Sequence, residues 1–226
     1  MSNIVGRTYE QQKEYPGLTQ HVYQRRPVYD DSSIPTVIFV LLVLNGLAFA
    51  AQQYQESLLL YYFALWPVAS VMPEFEPWQL LSYGFLHGSP THIFFNMFGL
   101  WMFGRDIERL LGPARFLSYY LTCVVGAAAI QLLVASLQGG VYPTVGASGG
   151  IFGLLLAYAM FFPNRMVMLL FPPIPMRAKY FVLFYGLMEL YLGLSGRSPG
   201  VANFAHLGGM LFGFLLLQYW RVQRRR

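Results

Sequence analysis

Cysteine is nearly absent from this chain of 226 residues. Cys123 stands alone, which excludes an intramolecular disulfide and any cysteine-rich metal cluster and leaves packing as its ordinary role. Charge is scarce too. Asp, Glu, Lys and Arg make up 11% of the sequence against 56% hydrophobic residues, far from the balance of a soluble domain. The chain has no internal repeat and no low-complexity tract, so inverted-repeat transporter architecture finds no support. No metal or organic cofactor is expected, since no cluster of ligating residues suggests one. Residues 1–34, rich in Gln, Tyr, Arg and Asp, carry no apolar periodicity. They read as a flexible cytoplasmic tail, too long and polar to be the leader of a cleaved signal peptide.

What is abundant is apolar, and it is bunched. Runs near 35–53, 91–104, 114–136, 148–162, 180–195 and 201–220 approach the roughly 20 residues a helix needs to cross a bilayer, the fourth and fifth falling short. The expected fold is all-α: one polytopic domain of six transmembrane helices over 35–220, closed by a basic cytoplasmic tail at 221–226. The net charge of +5 suggests nucleic acid only until it is mapped onto the loops. With the N-terminus in the cytoplasm, Arg197 alone of the 15 basic residues falls outside, and the positive-inside rule then supports an even number of spans with both ends cytoplasmic. The closing RVQRRR reads as a topology anchor beside anionic lipid, and no nucleic-acid partner is expected.

Residues 54–90 lack Lys and Arg yet are full of Leu, Tyr, Phe and Trp. A connection of that length calls for structure of its own, and its aromatics favour headgroup depth, so a part-helical insertion in the outer interface is expected. The inner connections are GRDIERLLGP between the second and third helices and FPNRMVMLLFPPIPMRAK between the fourth and fifth. In the latter, Pro172, Pro173 and Pro175 prevent helix continuation.

Polar side chains inside spanning helices mark candidate sites. In THIFFNMFG, His92 and Asn96 are four residues apart and share a helix face with Gly99. In GASGGIFG, Ser148 opens the fourth helix, with Phe152 one turn below and Gly149 and Gly153 forming a strip of small residues. In NFAHLGGMLFG, His206 shares a face with Gly209 and Gly213, and Ala205, Gly209 and Gly213 make a second strip. Such strips let helix backbones approach closely. Taken singly, the serine is ordinary packing and the His and Asn are ordinary interhelical hydrogen bonders. Topology ties them together: the second, fourth and sixth helices all run from outside to inside, which sets the four residues at one shallow depth.

Those residue types suit acyl transfer. A serine hydroxyl is a weak nucleophile until a base takes its proton, and histidine, with an ordinary pKa of about 6.5, suits that task. An oxyanion needs donors, and three kinds converge: the N–H groups where the fourth helix begins, Ser148's included, the Asn96 amide and the His92 ring. An acid to orient the histidine is missing. Asp106 and Glu108 lie at the opposite end, Glu56, Glu74 and Glu76 belong to the insertion, and Glu189 is the one acid inside a span. The expectation is a Ser–His dyad, with Glu189 set apart.

These motifs resemble the rhomboid family of intramembrane serine proteases over nearly everything from the first helix to the last. HGSPTHIFFN is similar to the family's histidine-bearing second helix, GASGGIFG to its GxSG nucleophile motif through Gly146, Ser148 and Gly149, and AHLGGMLFG to its AHxxG histidine motif. The resemblance implies Ser148 as nucleophile, His206 as general base, and His92 and Asn96 as oxyanion donors. It implies a membrane-embedded loop after the first helix, into which 54–90 fits, although Trp78 is followed by Gln79 where the family carries a Trp-Arg pair. Phe152 stands where the family has an aromatic stacked on the catalytic histidine, and His87 matches a second family histidine with a structural role. Substrates would be single-pass membrane proteins cut near the outer end of their spanning helix, within the lipid bilayer. Glu189, on the helix that flanks substrate entry, is expected to bias gate opening by its protonation. A six-span form without an extra helix or transit-like leader is expected in a bacterial plasma membrane. Oligomeric state is not set by any of these features. The alternative is a rhomboid-like protein that binds transmembrane clients without cutting them; a nucleophile elbow of the soluble α/β hydrolase kind would need a strand before GASGG, and a transporter would place its polar residues at midplane.

Overall fold

The computed structural model describes residues 34–168, 173–196 and 202–223. The sequence reading's tail at 1–34, apart from Ile34, lies outside the described residues, as do Pro172, Arg197 and the last three arginines. From Pro35 onward the chain forms one unit. It is built of helices: α1 (Thr36–Phe63), the single-turn α2 (Gln79–Ser82), α3 (Pro90–Leu111), α4 (Pro113–Gln138), α5 (Ser148–Phe161), α6 (Ala178–Ser195) and α7 (Asn203–Gln223). Two short strands, β1 (Met166–Met168) and β2 (Pro175–Arg177), pair antiparallel with Met166 opposite Arg177. Pro175 is tolerated because it opens its strand. Among the described residues, α1 and α4 are long and apolar enough to cross a membrane, and α5 is a shorter apolar helix of 14 residues.

The bundle has an apolar core, yet it also buries polar side chains and turns large apolar ones outward. Asn45, Gln52, Glu108, Gln131, Glu189 and Asn203 are buried, while Phe39, Leu47, Leu183, Leu187, Leu194 and Leu215 stand exposed. An apolar solvent accounts for that inversion, since lipid rewards exposed Leu and leaves polar groups to find each other.

α1 carries a kink at Gln55, where φ is −137° and ψ 45°. This is where the sequence ends the first span and begins the insertion; the chain stays helical for two more turns before Ala64. Beyond them Leu65 pairs with Thr144 through both backbone bonds, at 3.0 and 2.9 Å. Gln79, 1% exposed, knits the insertion: it accepts from the Trp66 N–H at 3.1 Å and donates to the carbonyls of Tyr62 and Glu74. Indole N–H groups of Trp66 and Trp78 donate to the carbonyls of Leu60 and Tyr62, at 3.0 and 2.9 Å.

One inner connection differs from its sequence reading. GRDIERLLGP is not a loop; α3 continues through it to Leu111, and Gly112 alone, at φ 80°, separates α3 from α4. Three of its charged side chains have partners that suit them to the helix. Arg105 stacks on Trp101 with its guanidinium 4.2 Å from the ring centre, and Asp106 pairs with Arg165. Glu108 reaches the start of α1 and accepts from the N–H groups of Val37 and Ile38, at 3.0 and 2.8 Å. α1 begins at Pro35 with no side-chain cap of its own, so Glu108 satisfies donors that would otherwise be stranded.

The core lies where α4, α5 and α7 meet. A Cβ on Gly209 would strike the backbone of Gly149, and one on Gly149 would strike Ala127 of α4. Gly153 faces Cys123, Gly213 faces Tyr119 and Cys123, Gly126 faces Phe212, and Gly208 faces Ile130. The small-residue strips therefore do not zip α5 to α7 alone. Gly149 and Gly209 make that crossing, and the remaining glycines admit α4 from the side.

Replacing Glu108 with alanine strands the buried Ile38 N–H and the part-buried Val37 N–H, and we expect a loss of about 2 kcal/mol of stability, read as a lower unfolding temperature in detergent.

Candidate active site

Ser148 is the first residue of α5, and no side chain caps that helix start. Its leading N–H groups are therefore free of helical partners around the serine itself. The hydroxyl Oγ lies 2.7 Å from Nε2 of His206, one turn into α7. Phe152, one turn below Ser148, stacks on the His206 ring with centroids 4.3 Å apart and planes 3° from parallel. The imidazole is thus held by a face contact while one ring nitrogen meets the hydroxyl.

His92 and Asn96 come to the same place from the start of α3. Ser89 caps that helix by accepting from the His92 N–H at 3.1 Å, and Pro90 follows it. Nδ1 of His92 accepts from the Gly88 N–H at 3.3 Å, so the proton of the neutral ring belongs on Nε2. That Nε2 edge faces Gly146: a Cβ there would lie 2.9 Å from it. Gly146 also has φ 128°, a backbone conformation unfavourable to other residues. The sequence marks Gly146 only as part of a motif; the structure gives it two physical reasons. Asn96 Nδ2 donates to the His92 carbonyl at 2.9 Å, which uses one of its two N–H groups and leaves the other. His87 is buried with its ring edge-on to His92 at 5.1 Å. Burial, and then the neighbouring His92, push its pKa down to about 4, so it stays neutral.

His92, Asn96, Ser148, Phe152 and His206 all line one cavity of about 910 Å³. Its far walls come from α3, through Phe95, Gly99 and Met102, and from α6, through Phe181 and Tyr185. Gly149, Gly209 and Gly213 are not in the lining; they act behind it, as the contact that sets α5 against α7.

The acid that the sequence sets apart comes beside the histidine. Oε2 of Glu189 lies 3.0 Å from Nδ1 of His206, on the ring nitrogen opposite Ser148. Nδ1 makes no well-aligned hydrogen bond, so this is a close polar contact set at an angle to the ring nitrogen's bonding direction. The same oxygen accepts from Asn203 Nδ2 at 2.6 Å. The sequence sets Glu189 apart because rotation of one helix against another is not written in a single apolar run. A signal exists all the same. Gly186, Glu189 and Gly193 fall on one face of α6, and that face meets Met210, Asn203 and Phe204 of α7.

A family model for the Rhomboid domain matches residues 74–222. The rhomboid protease GluP of Bacillus subtilis (strain 168) is 34% identical over 150 residues, 64% of this chain and 26% of that protein. RHOMBOID-like protein 4 of Arabidopsis thaliana is 35% identical over 156 residues, 66% of this chain and 35% of its own. Rhomboid protein 1, mitochondrial, of Saccharomyces cerevisiae is 30% identical over 142 residues, 61% and 40%. The chain thus spans well under half the length of these three relatives. The matched stretch runs from just before α2 almost to the end of α7 and takes in the whole polar cluster of the cavity, and the chain belongs to the rhomboid family of integral membrane proteins.

Proposed function

We propose that this protein is an intramembrane serine endopeptidase acting through Ser148 and His206. The observation that carries the reading is the 2.7 Å approach of Ser148 Oγ to His206 Nε2 at the wall of an open cavity. The hydroxyl oxygen attacks the carbonyl carbon of the scissile amide and its proton passes to Nε2. The carbonyl electron pair moves onto oxygen, where the Ser148 backbone N–H, the His92 Nε2–H and the free N–H of Asn96 are within the same cavity to meet it. As the tetrahedral adduct collapses, the C–N bond breaks and the leaving amine takes the proton from Nε2. Water then attacks the acyl-enzyme by the same proton route, releasing the new carboxyl end and restoring Ser148. No cofactor enters these steps.

In this reading the six long helices, α1 and α3 through α7, all span the bilayer, with 54–90 embedded in its outer leaflet and both termini in the cytoplasm. The positive charges support that orientation: Arg105, Arg109, Arg115, Arg165, Arg177 and Lys179 gather at the end of the bundle away from Ser148. The fitting location is a bacterial plasma membrane. Substrates are transmembrane proteins whose spanning helix unwinds near its outer end, because a helical amide is blocked until its turn opens. The cavity face between α3 and α6 suits such an extended segment, being lined chiefly by apolar side chains with the polar cluster at one end.

Purified protein should cleave a transmembrane substrate and label with a fluorophosphonate at Ser148. Ser148→Ala and His206→Ala should lose both, and cleavage surviving in Ser148→Ala would overturn the proposal. His92→Ala and Asn96→Ala should each lower kcat by about 10²- to 10³-fold, the usual effect of deleting one oxyanion donor, read in steady-state kinetics. Gly149→Leu should impair cleavage with both reacting side chains intact, because a side chain there meets Ala127 and pushes α5 off its neighbours; comparing its activity with its folded fraction checks this.

A further inference from the structure

We propose that Glu189 is a positioning residue for His206, holding the base of the Ser148–His206 pair in its working tautomer. The inference rests on the Ser148–His206 reading above and deepens it. Three observations carry it. Glu189 Oε2 sits 3.0 Å from His206 Nδ1, while Nε2 on the other side of the ring meets Ser148 at 2.7 Å. Glu189 is 6% exposed and takes no part in lining the cavity, so it lies behind the histidine, out of reach of a substrate. Asn203, itself buried, donates to the same carboxylate oxygen at 2.6 Å, which fixes where that oxygen points.

The chemistry follows from donor and acceptor bookkeeping. His206 takes a proton from Ser148 only if Nε2 carries a lone pair, which in the neutral ring puts the hydrogen on Nδ1. A carboxylate has only lone pairs to offer, so beside Nδ1 it selects the Nδ1–H tautomer and disfavours the other. When the ring accepts the serine proton it becomes positive, and the carboxylate then offsets that charge in a poorly hydrated site. Phe152 covers one ring face and offers no such bond. Among the described residues, the groups turned toward Glu189 are His206 and Asn203 from α7 and Tyr185 from its own helix; none of these is a fixed cation that would hold the carboxylate for another purpose. The close approach that makes this possible is at Gly193, where a Cβ would come within 3.0–3.3 Å of Phe204 and Asn203.

Glu189→Gln tests the idea in the full-length protein. Its amide keeps the shape, but it offers His206 either an oxygen or an N–H, and so permits the unproductive tautomer. We expect kcat to fall by about 10²-fold, the lower end of what acid–base catalysis supplies, with KM unchanged. In parent protein carrying ¹⁵N-labelled histidine, with the His206 signals assigned by their loss in His206→Gln, Nδ1 should be protonated and Nε2 bare. An unchanged kcat in Glu189→Gln, or a rise in KM alone, would overturn the proposal. So would a parent spectrum showing the Nε2–H tautomer, a result that stands even if Glu189→Gln does not fold. Failure of the protease reading is a separate outcome, seen as cleavage by Ser148→Ala, and the tautomer measurement does not depend on it.

Discussion

Two backbones touch where α5 crosses α7, and the geometry of the polar cluster depends on that contact. Gly209 has no room for a Cβ because the carbonyl and Cα of Gly149 already occupy the place, and Gly153 faces the Gly209 carbonyl at 3.1 Å from where its own Cβ would be. Ser148 precedes one of these glycines and His206 lies one turn before the other. Fixing the crossing therefore fixes the serine and histidine side chains to within hydrogen-bond reach. A side chain at the crossing would move the axes apart by more than the 2.7 Å bond can follow. In lipid, where apolar surface gains nothing by leaving one oily neighbour for another, such dry backbone contact is a main source of helix association.

α4 turns a crossing of two helices into a rigid wall. Its Ala127, Cys123 and Tyr119 fill the notches left by Gly149, Gly153 and Gly213, and in return Phe212 and Ile130 seat over Gly126 and Gly208. Tyrosine hydroxyls lock the assembly: Tyr119 donates to the Gly153 carbonyl at 2.7 Å, and Tyr83, from the insertion, to the Val124 carbonyl at 2.8 Å. Cys123 has its role here as a small buried filler.

Much of this was legible in the sequence, because membrane helices announce themselves by composition and the polar residues within them are few. The helix positions follow from the apolar runs, and the shared depth of His92, Asn96, Ser148 and His206 follows from their places at the starts of alternate helices. What escaped was relational. A run of apolar residues does not say how far a helix is turned about its axis, so it could not say that Glu189 faces His206. The glycine strips pointed to close packing but not to its partner, which for Gly126, Gly208 and Gly213 involves α4. GRDIERLLGP read as a connection because the apolar runs stop on either side of it, whereas Trp101, Arg165 and the open start of α1 give Arg105, Asp106 and Glu108 partners on the helix.

The starts of α3, α5 and α7 also explain why the polar cluster sits where it does. Each helix leaves its first N–H groups unbonded, a cost deep in hydrocarbon and an asset where an anion forms. α3 meets the cost with its own cap, Ser89, and α1 with one borrowed from α3, Glu108. α5 has no cap and keeps its donors open beside Ser148. At α7, Asn203 turns its amide onto Glu189, so the helix start secures the acid. Burying that acid alone would be costly, yet an Asn donor at 2.6 Å and the His206 ring at 3.0 Å give one carboxylate oxygen two polar neighbours. The bundle thus uses its uncapped and cross-capped helix starts as the parts of a site, and the apolar solvent that makes loose polar groups expensive is what forces them together.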